Sequence, residues 1–168
     1  GGQTLRQKLC WRFDVANDAS VGHFLVRDVD SVLGLREACA VKAWLDSDLW
    51  FHVIRDWWTH SDLMLAGLWG GVAGVLPSIK FMLESYSPNF AETPNIDQWF
   101  LRDKLWAYVR QSCLVHDRFF RMAGSVRLPG PEPAGNRHIG QNEFVARKEK
   151  QDLLLRPWIE RYPCLVAK

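Results

Sequence analysis

His23-Phe24-Leu25-Val26-Arg27-Asp28-Val29-Asp30-Ser31 is the stretch on which the fold turns. Its first four residues are a short apolar run of the kind a buried strand uses, and the run breaks abruptly into a charged turn. Asp28 and Asp30 stand one residue apart just past the strand end, where two carboxylates can meet one hard cation. Mg²⁺ and Mn²⁺ prefer such oxygen donors and complete their shells with water and substrate phosphates. The competing reading is an acidic turn that caps the following helix, since Asp and Ser favour such positions.

Outward from this stretch, apolar and polar segments alternate. Upstream, Leu5, Leu9 and Phe13 at helical spacing predict an amphipathic helix over 5–13, followed by a polar turn at 17–22. Downstream, 35–45 reads as a helix whose face is defined by Leu35, Ala38 or Cys39, Val41 or Lys42, and Leu45. Trp50 to Ile54 reads as a second strand and 55–60 as a polar, aromatic loop. Gly67, Gly70, Gly71 and Gly74 make 63–75 a poor helix and predict a bent strand or a close backbone approach. Pro77 suits the first turn of a helix reaching Tyr86. A loop over 87–94 leads to a helix over 96–110 capped by Asn95. Cys113-Leu114-Val115 reads as a third strand ending at His116-Asp117. A Pro/Gly-rich loop over 124–140 precedes a helical extension over 141–168, its helix placed within 141–158. Strands alternating with helices predict one α/β domain over 1–168, with a small mixed sheet flanked by helices.

Composition narrows the function classes. The chain has 168 residues, 48% of them hydrophobic, which suffices for one sizeable core. Of nine Trp, most are expected in that core, the rest being available as platforms for sugar rings. A net charge of +2, with basic residues spread along the chain, argues against a nucleic-acid partner. The cluster Arg147-Lys148-Glu149-Lys150 reads as a solvated helix face. Four widely spaced cysteines with no Cys-x-x-Cys pair argue against a structural zinc site. Cys39 and Cys113 among apolar neighbours read as reduced thiols, which suits the cytoplasm. Gly1-Gly2-Gln3 opens a polar, basic segment without the apolar core of a signal peptide. The longest apolar run, 63–76, is too short and glycine-rich to span a membrane.

Several further residues carry chemistry by position. Asp97-Gln98 opens a helix, where free N–H groups favour anionic or hydroxyl-rich ligands. Asp97 is otherwise a first-turn helix acid. His116 ends a strand as a metal or phosphate ligand, or as a satisfied core histidine. Gly67-Leu68-Trp69-Gly70-Gly71 lets a sugar lie against the backbone with Trp69 beneath it, or else serves tight packing alone.

Two enzyme families resemble parts of this pattern. The apolar strand followed by Asp-Val-Asp-Ser-Val-Leu fits a haloacid-dehalogenase-like phosphohydrolase, with Asp28 as nucleophile and Asp30 as general acid. That family also expects a later Lys and an acidic pair, for which Lys80, Asp97 and Asp103 are the candidates. The ordered set from Asp28-Val29-Asp30 through Gly67-Leu68-Trp69-Gly70 and Asp97-Gln98-Trp99-Phe100-Leu101 to His116-Asp117 resembles the second half of a GT-A-fold glycosyltransferase. Bacterial and viral relatives carry an Arg-Asp-x-Asp-Ser turn, an Arg-Glu pair and a His-x-x-Arg-Asp segment. Here these are Arg27 to Ser31, Arg36-Glu37, and His52-Val53-Ile54-Arg55-Asp56.

That resemblance covers about 22–117, with 137–141 as its candidate continuation, and implies a metal-dependent transferase using a nucleotide-diphosphate sugar donor and a glycan acceptor. Asp28, Asp30 and His116 would hold Mn²⁺ or Mg²⁺, and Asp97 would orient or deprotonate the acceptor. Arg27, Arg55, Asp56, His60, Gly67, Trp69, Gly70 and Gln98 would line the substrate pocket. Only 27 residues precede Asp28, so the nucleotide-binding half of that fold is largely absent. A partial or inactive domain, self-associating through an exposed sheet edge, is the corresponding expectation. A non-enzymatic carbohydrate- or partner-binding domain is the third reading, motivated by the Trp content.

Overall fold

The computed structural model describes residues 2, 4–88, 91, 93–132, 137–142, 156–157 and 160–161. Helix α1 (Leu5–Cys10) opens at Thr4, which with Gln7 forms a reciprocal capping box, and runs on as a 3₁₀ turn, Trp11–Asn17. The elements that follow are β1 (His23–Arg27), α2 (Leu35–Leu45), β2 (Phe51–Arg55), β3 (Leu68–Val72) and α3 (Ile79–Glu84). A last helical run contains α4 (Ile96–Phe100), a π turn at Leu101–Leu105 and α5 (Trp106–Val109), and it leads into β4 (Cys113–Asp117).

The sheet is small and mixed, as the alternation of elements predicts, in the order β1-β3-β2-β4. β3 runs antiparallel to both β1 and β2, while β2 and β4 are parallel. β1, β2 and β4 therefore share one direction, and their carboxyl ends lie on a common rim. α2 carries the chain from β1 past one strand position to β2, and β3 returns to fill that gap. Gly70 and Gly71 are required there. A Cβ at Gly70 would strike the Phe24 carbonyl, and one at Gly71 would strike the Phe51 ring. The glycine-rich stretch serves packing between strands, and those two positions have no room for a sugar against the backbone.

Each face of the sheet has its own core. On one, Phe24, Val26, Val53, Trp69 and Val115 pack against Phe13, Ile79, Phe100, Leu101 and Leu105 from the helices. Trp69 is fully buried, edge-on to Phe24 at 5.0 Å and to Phe13 at 5.7 Å between ring centroids. Its ring has no face free for a sugar and belongs to the apolar core. On the other face, Ala40 of α2 packs with Ile54, Leu65, Leu68 and Ile139. Trp44 stacks on His52 at 5.6 Å, and His52 Nε2 lies 2.8 Å from His116 Nδ1.

α2 has the boundaries the sequence predicts and a different buried face. Leu35 and Leu45 are exposed, whereas Arg36, Glu37, Ala40 and Trp44 are buried. The polar pair tolerates burial because each member meets an opposite charge: Glu37 pairs with Arg27, and Arg36 with Glu132. Smaller differences lie at the element ends. Pro77 precedes the first turn of α3, whose cap is the Ser78 hydroxyl. Asn95 occupies the cap position of α4 without a side-chain bond. The proposed extension over 141–168 and the basic cluster at 147–150 lie almost wholly outside the described residues, although 156–157 and 160–161 are helical. No helix among the described residues is long and apolar enough to cross a membrane.

Candidate functional site

Three aspartates close the three parallel strands on the shared rim: Asp28 after β1, Asp56 after β2 and Asp117 at the end of β4. In open α/β sheets the crevice beyond such strand ends is where ligands bind. Two charge clusters occupy it.

The first lies at the β1 end. Arg12, on the 3₁₀ turn, donates Nη1 to Asp28 Oδ1 at 2.6 Å, and its Nη2 donates to Asp97 Oδ2. Asp97 is buried in the first turn of α4, and its Oδ1 also accepts the Gln98 backbone N–H at 2.8 Å. One guanidinium thus joins two carboxylates 69 positions apart in the chain. Burial works to lower the Arg12 pKa, but the bonds to Asp28 and Asp97 outweigh it, and the group is held more firmly charged than usual. Gly67 lies directly under Asp28, and a Cβ there would occupy the position of its Oδ2. Asp28 and Val29 begin a turn closed by Ser31 N–H to the Asp28 carbonyl at 3.1 Å. Asp30 is exposed on that turn and accepts from Asn142 Nδ2.

The second cluster lies at the β2 and β4 ends and is far more buried. Arg55 Nε pairs with Asp117 Oδ2 at 3.2 Å. Asp117 Oδ1 also receives the N–H groups of Phe119 and Phe120. Asp56 Oδ2 accepts the Ile139 N–H at 2.9 Å. Burial pushes the Asp56 carboxyl up to about 6, against the pull of Arg36, the Ile139 N–H and Arg118. The Asp56 N–H donates to His60 Nδ1 at 3.2 Å, and His138 stacks on Trp57 at 4.5 Å. Burial, helped by His138, lowers His60 to about 3.

The residues singled out in the sequence therefore divide. Asp28, Gly67, Asp97 and Gln98 come together around Arg12. Arg27 turns to the α2 face, where it holds Glu37 and donates to the carbonyls of Val26 and Trp69. Arg55, Asp56 and His60 belong to the second cluster, and Trp69 and Gly70 to the sheet interior. His116 is buried on the α2 face against His52, and burial followed by Arg36 lowers it to about 4. At a strand spacing of about 4.8 Å, β4 lies roughly 14 Å from β1. Among the described residues no three His, Cys, Asp or Glu side chains gather as a metal site, so His116 does not complete a set with Asp28 and Asp30.

Asp28 and Asp30 are oxygen donors of the type Mg²⁺ and Mn²⁺ take, and in this structure Asp28 is paired with Arg12 and Asp30 with Asn142. For the phosphohydrolase pattern, Asp103 accepts from Tyr86 and Arg102 and is engaged elsewhere.

Arg12, Arg118 and Glu132 were not legible as site residues, and His138 was marked only as part of the segment 137–141. Arg12 sits on the polar side of a helix chosen for its apolar spacing. The recoverable signal is the Arg/Asp pair ending each parallel strand: Arg27-Asp28, Arg55-Asp56 and Asp117-Arg118. No family model matches this chain, and no curated protein and no solved structure matches it significantly.

Proposed function

We propose that the β1 end of the rim is the reacting centre of a metal-dependent glycosyl transfer from a nucleotide-diphosphate sugar, as the ordered motifs imply. The observation that carries this reading is the Arg12 bridge. It brings Asp28, the expected metal-side carboxylate, and Asp97, the expected acceptor-side carboxylate, to one guanidinium. Asp28 and Asp30 would hold Mn²⁺ or Mg²⁺. That ion would offset the charge that builds on a leaving diphosphate. Arg12 fixes the Asp97 carboxylate in direction, as a base for an acceptor hydroxyl requires. Gly67 leaves the space in which Asp28 lies. The second cluster supports the rim from behind through Asp56 and Ile139 and is assigned no step.

The test is donor consumption by the full chain with a panel of nucleotide sugars and acceptor glycans, with Mn²⁺ or with chelator. The expected outcome is metal-dependent release of nucleoside diphosphate that Asp97→Asn reduces by about 10²-fold or more, the usual range for a general base. Turnover that persists in chelator, or that Asp97→Asn leaves unchanged, contradicts the reading.

A further inference from the structure

A cleft of about 290 Å³ opens beside the second cluster, with Arg36, Asp117, Arg118, Arg127 and Glu132 on its walls. Arg36 enters from the first turn of α2 and Arg118 from just past β4. Their side chains are only 6% and 9% exposed. A single oxygen, Glu132 Oε2, lies 2.6 Å from Arg36 Nη1 and 3.0 Å from Arg118 Nη2. Behind them Asp56 Oδ1 stands 3.7 Å from Arg36 and 3.8 Å from Arg118, beyond hydrogen-bond reach. Among the described residues, Arg36 Nε, Arg118 Nε and Arg118 Nη1 are three buried donors with no hydrogen-bond acceptor, against two buried oxygens, Asp56 Oδ1 and Asp117 Oδ2, with no hydrogen-bond donor.

Donors therefore exceed acceptors at a place where two guanidiniums converge from different elements. A carboxylate offers two oxygens in one plane, whereas a phosphate offers three or four in a tetrahedron and matches several guanidinium forks at once. Glu132 sits on the outer wall and is a third exposed, at 33%, so it can swing out without disturbing the sheet.

We propose that Arg36 and Arg118 form a phosphate-binding site, that the Glu132 carboxylate occupies it as an internal substitute, and that inorganic phosphate or a phosphate monoester displaces Glu132. The site requires no divalent cation and none of Asp28, Asp30 or Asp97. It stands or falls apart from the sugar-transfer reading.

The experiment is calorimetry and thermal unfolding of the full chain in EDTA at constant ionic strength, with inorganic phosphate, phenyl phosphate and acetate as probes. The expected result is binding and a raised Tm with phosphate, and no response to acetate. A response to phenyl phosphate places the site open to monoesters, whereas a response to inorganic phosphate alone restricts it to the free anion; both support the proposal. Arg118→Gln is expected to abolish binding. Glu132→Gln is expected to bind phosphate about tenfold more tightly, because the internal competitor is gone. That variant decides the matter even if Arg118→Gln fails to fold. Equal responses to acetate and phosphate, or unchanged or weaker phosphate binding by Glu132→Gln, would overturn the proposal.

Discussion

Arg27-Asp28 and Arg55-Asp56 are the same dipeptide at the same end of two parallel strands, yet their surroundings are opposite. β1 lies at the border of the sheet, and the Asp28 side chain is 50% exposed. β2 lies between β3 and β4, and Asp56 is wholly buried. Arg27 turns sideways to Glu37, and Arg55 turns to Asp117. Position in the sheet, more than local sequence, decides whether such an aspartate meets solvent and ligands or holds the frame together. One segment ties the two ends: Ile139 donates to Asp56, while Gln141 receives the Val32 N–H and Asn142 donates to Asp30.

The contrast is broken most severely at the buried end. Asp117→Ala leaves Arg55 buried without its partner and strips the acceptor from Phe119 and Phe120. A loss of about 3–5 kcal/mol is expected in urea unfolding. At the exposed end, Asp28→Ala is expected to cost no more than about 1 kcal/mol in the same measurement. Comparable losses at the two ends would remove the distinction.

Acid titration sharpens it next. Burial lowers His52 and His60 to about 3 and His116 to about 4, well below the unfolded value of 6.5. Between those limits the unfolded chain binds more protons at these three residues, so their contribution is fully present above pH 6.5 and is lost as pH falls. Asp56, raised to about 6 from 3.8, acts in the opposite sense over pH 6 to 4. Three protons taken up against one released leave a net uptake of about two near pH 5. Stability is expected to fall by about 2–3 kcal/mol per pH unit there. A flat profile from pH 6.5 to 4.5 contradicts the buried neutral histidines. His52→Gln is expected to reduce the slope.

Gly67→Ala gives the most local effect. Its Cβ displaces only the far end of the Asp28 side chain, so a cost of about 1 kcal/mol is expected, together with loss of any Mn²⁺ binding at the turn. Retained Mn²⁺ affinity in a folded Gly67→Ala protein would separate Asp28 from the metal.

Much of the frame was legible in the sequence because its signals are local. Apolar runs marked β1, β2 and β4, and α2 was placed at its observed ends. The helix over 96–110 was found with only its internal π turn unforeseen. What escaped depended on contacts between distant segments. The buried side of α2 is led by Arg36 and Glu37, which only ion pairs with Arg27 and Glu132 make tolerable, and apolar periodicity is blind to that. Trp69 looked like a sugar platform because one sequence cannot tell which face of a strand is covered. The acidic turn was found, as was Asp97, but the residue that joins them, Arg12, bears no local mark. His116 was paired with Asp28 by order along the chain, whereas the insertion of β3 between β1 and β2 carries the two apart.

The Arg12-centred assembly is probed most directly by calorimetric titration of Mn²⁺ and a nucleoside diphosphate into the full chain and its Asp28→Asn variant. The account predicts nucleotide binding that requires Mn²⁺ and disappears in Asp28→Asn. Nucleotide binding that ignores the metal, or that survives in Asp28→Asn, would contradict it.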